Sequence, residues 1–214
     1  MARITVLGGT GYAGTHLVRE AAARGHEVRS FSRHTPAEPV PGVSYETGDV
    51  TDPALLDSVA ADTDVVVTTV PPRGELEPVL AGILGDLAAR ADAAGVRLGV
   101  VGGAGSLLVA PGGPKLLETD AFPAPFLAEA QIMDGVLEEL RSRPESLDWF
   151  YVSPAAGFGA YAPGERTGRF RVGDDVLLTD DEGGSHLSGE DLAIAIVDEV
   201  EQPAHRRSRF TVAY

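Results

Sequence analysis

Three glycines at a spacing of three, Gly8, Gly11 and Gly14, follow the apolar run Ile4-Thr5-Val6-Leu7 and precede a helical pattern carrying Leu17 and Val18. The order predicts a strand, a tight turn and a helix start. Glycine lets the backbone turn sharply there and lets a ligand approach closely. The first turn of a helix has unpaired N–H groups and the positive end of the helix dipole, a setting suited to a pyrophosphate. A glycine pattern alone is weak; its place between a strand and a helix gives it meaning. The expectation is a nucleotide site built on Gly8, Thr10, Gly11, Tyr12, Ala13 and Gly14. A tight strand–helix turn without a ligand is the plainer alternative.

The rest of the chain repeats the alternation. Strands are predicted at His26–Phe31, Val43–Glu46, Asp64–Val70, Arg97–Val101 and Trp149–Val152, with helices at about 12–24, from Thr51-Asp52-Pro53 onward, at 76–94 and from Phe126. The run Val65-Val66-Val67 is apolar without alternation, as in a parallel strand covered on both faces. Such alternation predicts an α/β fold with a Rossmann-like, doubly wound parallel sheet. After Ala155 the rhythm changes. Gly173-Asp174-Asp175 between Arg169–Val172 and Val176–Leu178 reads as a hairpin. Ser188-Gly189-Glu190-Asp191 reads as a capping box opening a helix, and Phe210–Val212 as a last strand. We expect residues 1–214 to form one dinucleotide-binding domain, with 155–188 as a small substrate-covering insertion on the C-terminal side.

Composition removes several functions. The chain has no cysteine, hence no thiol nucleophile, disulfide or thiolate metal site. Its net charge of −15 over 214 residues disfavours nucleic acid, whose phosphates would repel it. No run is long and apolar enough for a membrane span, and no leader pattern stands at the start. The expectation is a soluble cytoplasmic protein, a monomer or homodimer, acting on a small molecule. The histidines show no metal-ligand spacing. Thr179–Gly184 lacks the alternation of a calcium loop, so no metal site is expected.

The second strand ends in Ser32-Arg33-His34, where an NAD-preferring site would carry an acid for the ribose hydroxyls; Glu27 is at the wrong end. Arginine's planar fork can pair with a 2′-phosphate, and Ser32 adds a hydroxyl. NADP(H) is therefore favoured over NAD(H), against the alternative that Arg33 is an ordinary surface arginine. Asp49 either accepts from the adenine amino group, with Val50 beside the ring, or caps the turn into Thr51. Thr69, Val70 and Pro71 end the fourth strand, on the edge where open parallel sheets bind ligands.

Gly8–Gly14, Gly48-Asp49-Val50, Val101–Leu107, Asp148–Pro154 and Gly164–Gly168 together give the chain a resemblance to the atypical branch of the short-chain dehydrogenase/reductase superfamily. It is most similar to the NAD(P)H-binding proteins described as NADH-flavin reductases, which are related to NmrA-like and biliverdin/flavin reductase B-like proteins. The resemblance implies that the glycine loop and Ser32-Arg33 hold the adenosine end. It also implies that Gly102, Gly103 and Pro154 lie near the nicotinamide, and that Ser106 occupies the place of an active-site serine or threonine. A strand-end cap is the alternative for Ser106.

The superfamily's usual catalyst, a tyrosine with a lysine four residues on, is missing. The tyrosines are Tyr12, Tyr45, Tyr151, Tyr161 and Tyr214, and the single lysine is Lys115. Without that pair, alcohol–ketone chemistry loses its proton donor. Reduction of a flavin does not need it, because the ring takes its proton from solvent and the protein supplies binding and orientation. The leading expectation is an NADPH-dependent reductase of a flavin or a similar conjugated acceptor. A non-enzymatic NADP(H) sensor and an atypical epimerase or dehydratase are the alternatives. His186 and Arg166 are the nearest polar candidates in the substrate region, though surface or structural use is the simpler reading of both.

Overall fold

The valine run of the fourth strand shows how the fold is made. Val66 packs into one apolar layer with Leu7, Leu98, Trp149 and Tyr151; Val65 and Val67 pack into the other with Ile4, Val6, Phe150 and Phe210. Both sheet faces are covered, so the strand has no polar side to show.

The computed structural model describes residues Met1–Tyr214. The elements are β1 (Arg3–Leu7), α1 (Tyr12–Ala23), β2 (Glu27–Ser32), β3 (Ser44–Thr47), α2 (Pro53–Val59), β4 (Val65–Thr68), α3 (Leu80–Ala94), β5 (Arg97–Val101), α4 (Leu127–Ser142), β6 (Trp149–Pro154), β7 (Arg171–Gly173), α5 (Gly189–Glu201) and β8 (Ser208–Ala213). The eight-stranded sheet has the order β3-β2-β1-β4-β5-β6-β8-β7. Every pairing is parallel except that of β7 with β8. Helices α1 and α5 cover one face; α2, α3 and α4 cover the other. The chain runs outward from β1 to β3 and then returns to β4 on the opposite side. The strand order therefore reverses between β1 and β4, at the place where such sheets bind ligands. This is the Rossmann-like fold that the strand–helix alternation predicts.

Three local expectations are corrected. The hairpin around Gly173-Asp174-Asp175 does not form. β7 instead pairs antiparallel with the last strand, Arg171 opposite Ala213, and Val176 makes only a bridge to Leu108. The third helix begins at Leu80 rather than Leu76. A 3₁₀ turn occupies Gly74–Leu76, and Pro78 has no N–H to give to a helical ladder. At α5, Ser188 accepts from the Asp191 N–H at 3.1 Å as a cap should, but the Asp191 carboxylate does not complete the box. It accepts from the N–H groups of Thr167 (2.8 Å) and Gly168 (2.9 Å) and from the Tyr214 hydroxyl (2.7 Å). It thus ties the segment between β6 and β7 to the start of α5.

Candidate functional site

The turn after β1 is shaped by clashes that only glycine avoids. Gly8 has φ +90°, a left-handed conformation that costs other residues energy. A Cβ on Gly14 would overlap the Gly8 carbonyl oxygen and come within 2.7 Å of Gly9 Cα. Gly14 therefore allows α1 to start directly against the strand end. Gly11 differs: a Cβ there meets only the Gly8 oxygen, at 3.3 Å, and otherwise open space. The turn is held from below. Thr69 Oγ1 lies 3.2 and 3.1 Å from the Leu7 and Gly8 carbonyl oxygens, and Ser32 Oγ accepts from the Thr10 N–H at 3.2 Å. The N–H groups of Tyr12, Ala13 and Gly14 have no acceptor within the protein, as expected of a helix start, and Gly11 caps the helix without a side chain.

A crevice of about 740 Å³ opens beside this turn. Its lining brings together the predicted Gly8, Thr10, Gly11, Ser32, Arg33, Asp49, Val50, Thr69, Val70 and Pro71. Arg33 is exposed on its wall and forms no ion pair in the protein. Asp49 accepts from the Thr51 N–H (2.9 Å) and hydroxyl (2.7 Å). These bonds, with the Arg33 charge nearby, hold its carboxyl below the usual carboxylate range. The turn role expected for Asp49 is thus present, and its second oxygen remains open to a ligand. Sequence reading missed Arg73, Gly74, Glu75 and Leu76, which wall the crevice beyond the end of β4. The Pro71-Pro72-Arg73-Gly74 stretch was the available signal, since it forces the chain to turn across the strand end.

Several predicted residues lie elsewhere. The Tyr12 side chain points away from the crevice. Its hydroxyl donates to the Pro163 oxygen (3.1 Å) and accepts from the Gly189 N–H (3.2 Å), tying α1 to the segment after β6. Ala13 packs against the core and Gly14 is buried. His34 is exposed and not part of the lining. Gly102 and Gly103 leave the end of β5 over Tyr151, and a Cβ on Gly102 would overlap the Tyr151 ring. Pro154 ends β6 and is buried.

Ser106 is buried at 4% exposure, and its Oγ accepts from Arg209 Nη1 at 2.8 Å. Arg209, from β8, is itself held by Asp175 at 2.8 Å. A guanidinium only donates, so the Ser106 oxygen is the acceptor in this pair and its own proton points elsewhere. No protein group accepts that proton. Tyr151 is fully buried, donates to the Met133 oxygen at 3.1 Å, and has its phenol pushed up by burial. Lys115 is engaged by both oxygens of Asp134, at 2.7 and 2.8 Å. Arg166 pairs with Glu20 at 2.7 Å, and His186 packs against Gly157. No group of three or more acidic or histidine side chains is arranged around a metal position. No helix is long and apolar enough to cross a membrane.

A parallel sheet whose strand order reverses over a glycine-built turn defines a Rossmann-like dinucleotide-binding protein. The chain belongs to the NAD(P)H-binding family, whose profile matches residues 8–203. It is 35% identical over 211 residues to the uncharacterized Bacillus subtilis protein YwnB, covering 98% of this chain and 97% of that one. Among solved structures, a proposed exported protein from Burkholderia pseudomallei is 40% identical over the whole of both chains, with TM-score 0.87. A proposed NADH-flavin reductase from Streptococcus pneumoniae is 29% identical, with TM-score 0.89, covering 100% of this chain and 99% of its own. A proposed epimerase from Bacteroides thetaiotaomicron is 33% identical, with TM-score 0.88, covering 100% and 97%.

Proposed function

We propose that this protein is an NADPH-dependent reductase acting on a flavin or a similar flat, conjugated small molecule. The observation that carries the reading is Arg33, a guanidinium with no ion partner on the crevice wall, placed at the end of β2 where an acid would otherwise meet the ribose. The site fits a dinucleotide. Gly11 leaves room above the turn, the N–H groups of Tyr12, Ala13 and Gly14 face a pyrophosphate position, and Ser32 retains a hydroxyl proton for the same phosphate as Arg33. Bound there, the reduced nicotinamide supplies a hydride. The chain's part is to orient it: Gly102 and Gly103, half-buried beyond the end of β5, form the floor, and Ser106, held as a donor by Arg209, hydrogen-bonds the carboxamide or the acceptor. Residues 155–188 cover the acceptor side, anchored through Pro163, Arg166 and Thr167.

The proton-donor machinery of carbonyl reduction is not assembled, since Tyr151 is buried and bonded and Lys115 is paired with Asp134. A flavin takes its proton from solvent, and the likeness to the S. pneumoniae protein points the same way. The test is a titration with NADPH and NADH, followed by decay of the reduced-nicotinamide absorbance after adding FMN, FAD or riboflavin. Tighter NADPH binding with saturable flavin-dependent decay supports the reductase. Tight binding with no decay above the uncatalysed rate overturns it in favour of an NADP(H) sensor.

A further inference from the structure

Two exposed aromatic rings stand apart from the rest of the surface. Phe126 is 43% exposed and Tyr161 is 69% exposed, and no other aromatic residue ranks among the large exposed apolar side chains. They come from distant parts of the chain and stack on each other, with centroids 6.5 Å apart and planes inclined by 21°. Their supports fix where the pair lies. Phe126 sits at the start of α4, and the same stretch places Phe122 and Ala130 over Gly105, just beyond the end of β5. Glu129, in the first turn of α4, accepts from Arg73 Nε at 2.6 Å, and Arg73 walls the dinucleotide crevice. Tyr161 follows the end of β6, and its ring lies against Gly159, where a Cβ would be 2.7 Å from the ring edge. Gly159 has φ +148° and so combines an unusual backbone with room for the ring. The pair is therefore built from the two segments that leave β5 and β6, and the end of β5 is the one that the proposed function gives to the nicotinamide.

We propose that Phe126 and Tyr161 are the two jaws of an aromatic clamp that takes one ring of a fused, planar acceptor. Carbon atoms pack best at about 3.5–4.0 Å, so a ring held between two others needs about 7–8 Å between the outer centroids. The observed 6.5 Å lies within the about 4.5–7 Å of a direct offset pair, so the two rings close on each other in the free protein and must part for a ring to enter. Tyr161 is the jaw that moves. Its hydroxyl is held only by a long bond to the Ala156 oxygen, at 3.4 Å, whereas the turn carrying Phe126 is braced by the Arg73–Glu129 pair. A fused ring system fits better than a single ring. One end lies between the jaws while the reacting end stays over the floor beyond β5. The clamp thus selects acceptors with two or more fused rings.

This inference rests on the reductase reading but is tested apart from it. Riboflavin is titrated into protein saturated with NADP⁺, so that no hydride is available and quenching of flavin fluorescence reads binding alone. The wild type is expected to quench. Phe126→Ala and Tyr161→Ala are each expected to weaken binding about tenfold, from the loss of one stacked ring and its buried area, with NADP⁺ affinity unchanged. Tyr161→Phe, which keeps the ring, is expected to bind as the wild type does. Melting curves show whether the variants fold, and both side chains are exposed enough for truncation to be tolerated. Absence of quenching by the wild type, or equal binding by both alanine variants, overturns the clamp. If the alanine variants lose binding while NADPH is never oxidised, the clamp stands and the reductase reading fails. If flavin-dependent oxidation proceeds with unchanged KM in both variants, the reductase stands and the clamp fails.

Discussion

Replacing Arg33 by alanine isolates the choice between the two dinucleotides, because Arg33 makes no hydrogen bond or ion pair within the protein. Its loss should leave the melting temperature unchanged. The phosphate that separates NADPH from NADH would meet the guanidinium at the end of β2. At about 4 Å, a pair of unit charges is worth roughly 1 kcal/mol in bulk water and roughly 4 kcal/mol near a protein surface. Exposure lowers the upper figure, since open ion pairs contribute about 0–1 kcal/mol. A planar fork on a phosphate also makes charge-assisted hydrogen bonds, each worth about 1.5–3 kcal/mol. We take about 1.5–3 kcal/mol as the net effect, a loss of roughly 10- to 150-fold in NADPH affinity. NADH affinity should change less than about twofold, since its ribose lacks the charge. Arg33→Asp should go further and make NADH the preferred ligand. Calorimetric titration of both dinucleotides at low and high salt provides the assay, and the NADPH preference should shrink with salt as the exposed charges are screened. An equal loss for both dinucleotides would show that Arg33 supports the adenosine rather than the phosphate. No loss for either would remove the basis for assigning NADPH.

Gly14→Ala should cost about 1–3 kcal/mol of stability and abolish dinucleotide binding, since its Cβ overlaps the Gly8 oxygen; urea unfolding and the same titrations read both effects. Gly11→Ala should instead fold normally and lose only binding, because its Cβ projects into the space left for the pyrophosphate. Ser106→Ala should lower turnover several-fold more than it lowers NADPH affinity, and equal activity would make Ser106 a structural cap for Arg209. Glu199→Ala should cost about 1.5–3 kcal/mol by removing the charge-assisted bond at 2.5 Å to the buried Arg97 guanidinium, which then keeps only the longer pair with Asp148 at 3.4 Å. Burial alone would push the Glu199 carboxyl up, but bonds from Arg97 and from the His205 N–H and ring hold it below its ordinary value of 4.5. Its contribution is therefore complete above pH 4.5 and is lost as the pH falls through the lowered native value, so urea midpoints measured from pH 7 to pH 3 should fall less steeply in Glu199→Ala than in the wild type.

The crevice beside the glycine turn was legible in the sequence because its predicted residues are each tied to a strand end that the sequence marks locally. Gly8 and Thr69 each follow an apolar run, Ser32 an alternating strand and Asp49 a short polar one, and a parallel sheet brings all such ends to one edge. The edge of the sheet was misread for the opposite reason. Gly173-Asp174-Asp175 is a good local turn signal, but Arg171 pairs with Ala213, far along the chain, and nothing in residues 169–178 announces that partner. The Asp191 carboxylate failed to complete its capping box because three donors from residues 167, 168 and 214 outnumber the single N–H that a box would offer.

The acceptor side was hidden by the same non-locality. Arg209 reaches Ser106 across 103 residues, and sequence spacing cannot show that a strand arginine will orient a loop serine. The exposed stack of Phe126 on Tyr161 also joins two segments that read, one by one, as a helix start and a loop. On the proposed reading, locally encoded turns hold the dinucleotide, whereas distant pairs shape the acceptor side. The two halves should therefore respond separately to mutation. Substitutions in the glycine turn or at Arg33 should alter dinucleotide affinity whatever the acceptor, whereas changes at Phe126, Tyr161 or Arg209 should alter acceptor choice and turnover while dinucleotide affinity holds. A variant such as Tyr161→Ala that weakened NADPH as much as the flavin would mean that both ligands share one surface, and this division of the site would be wrong.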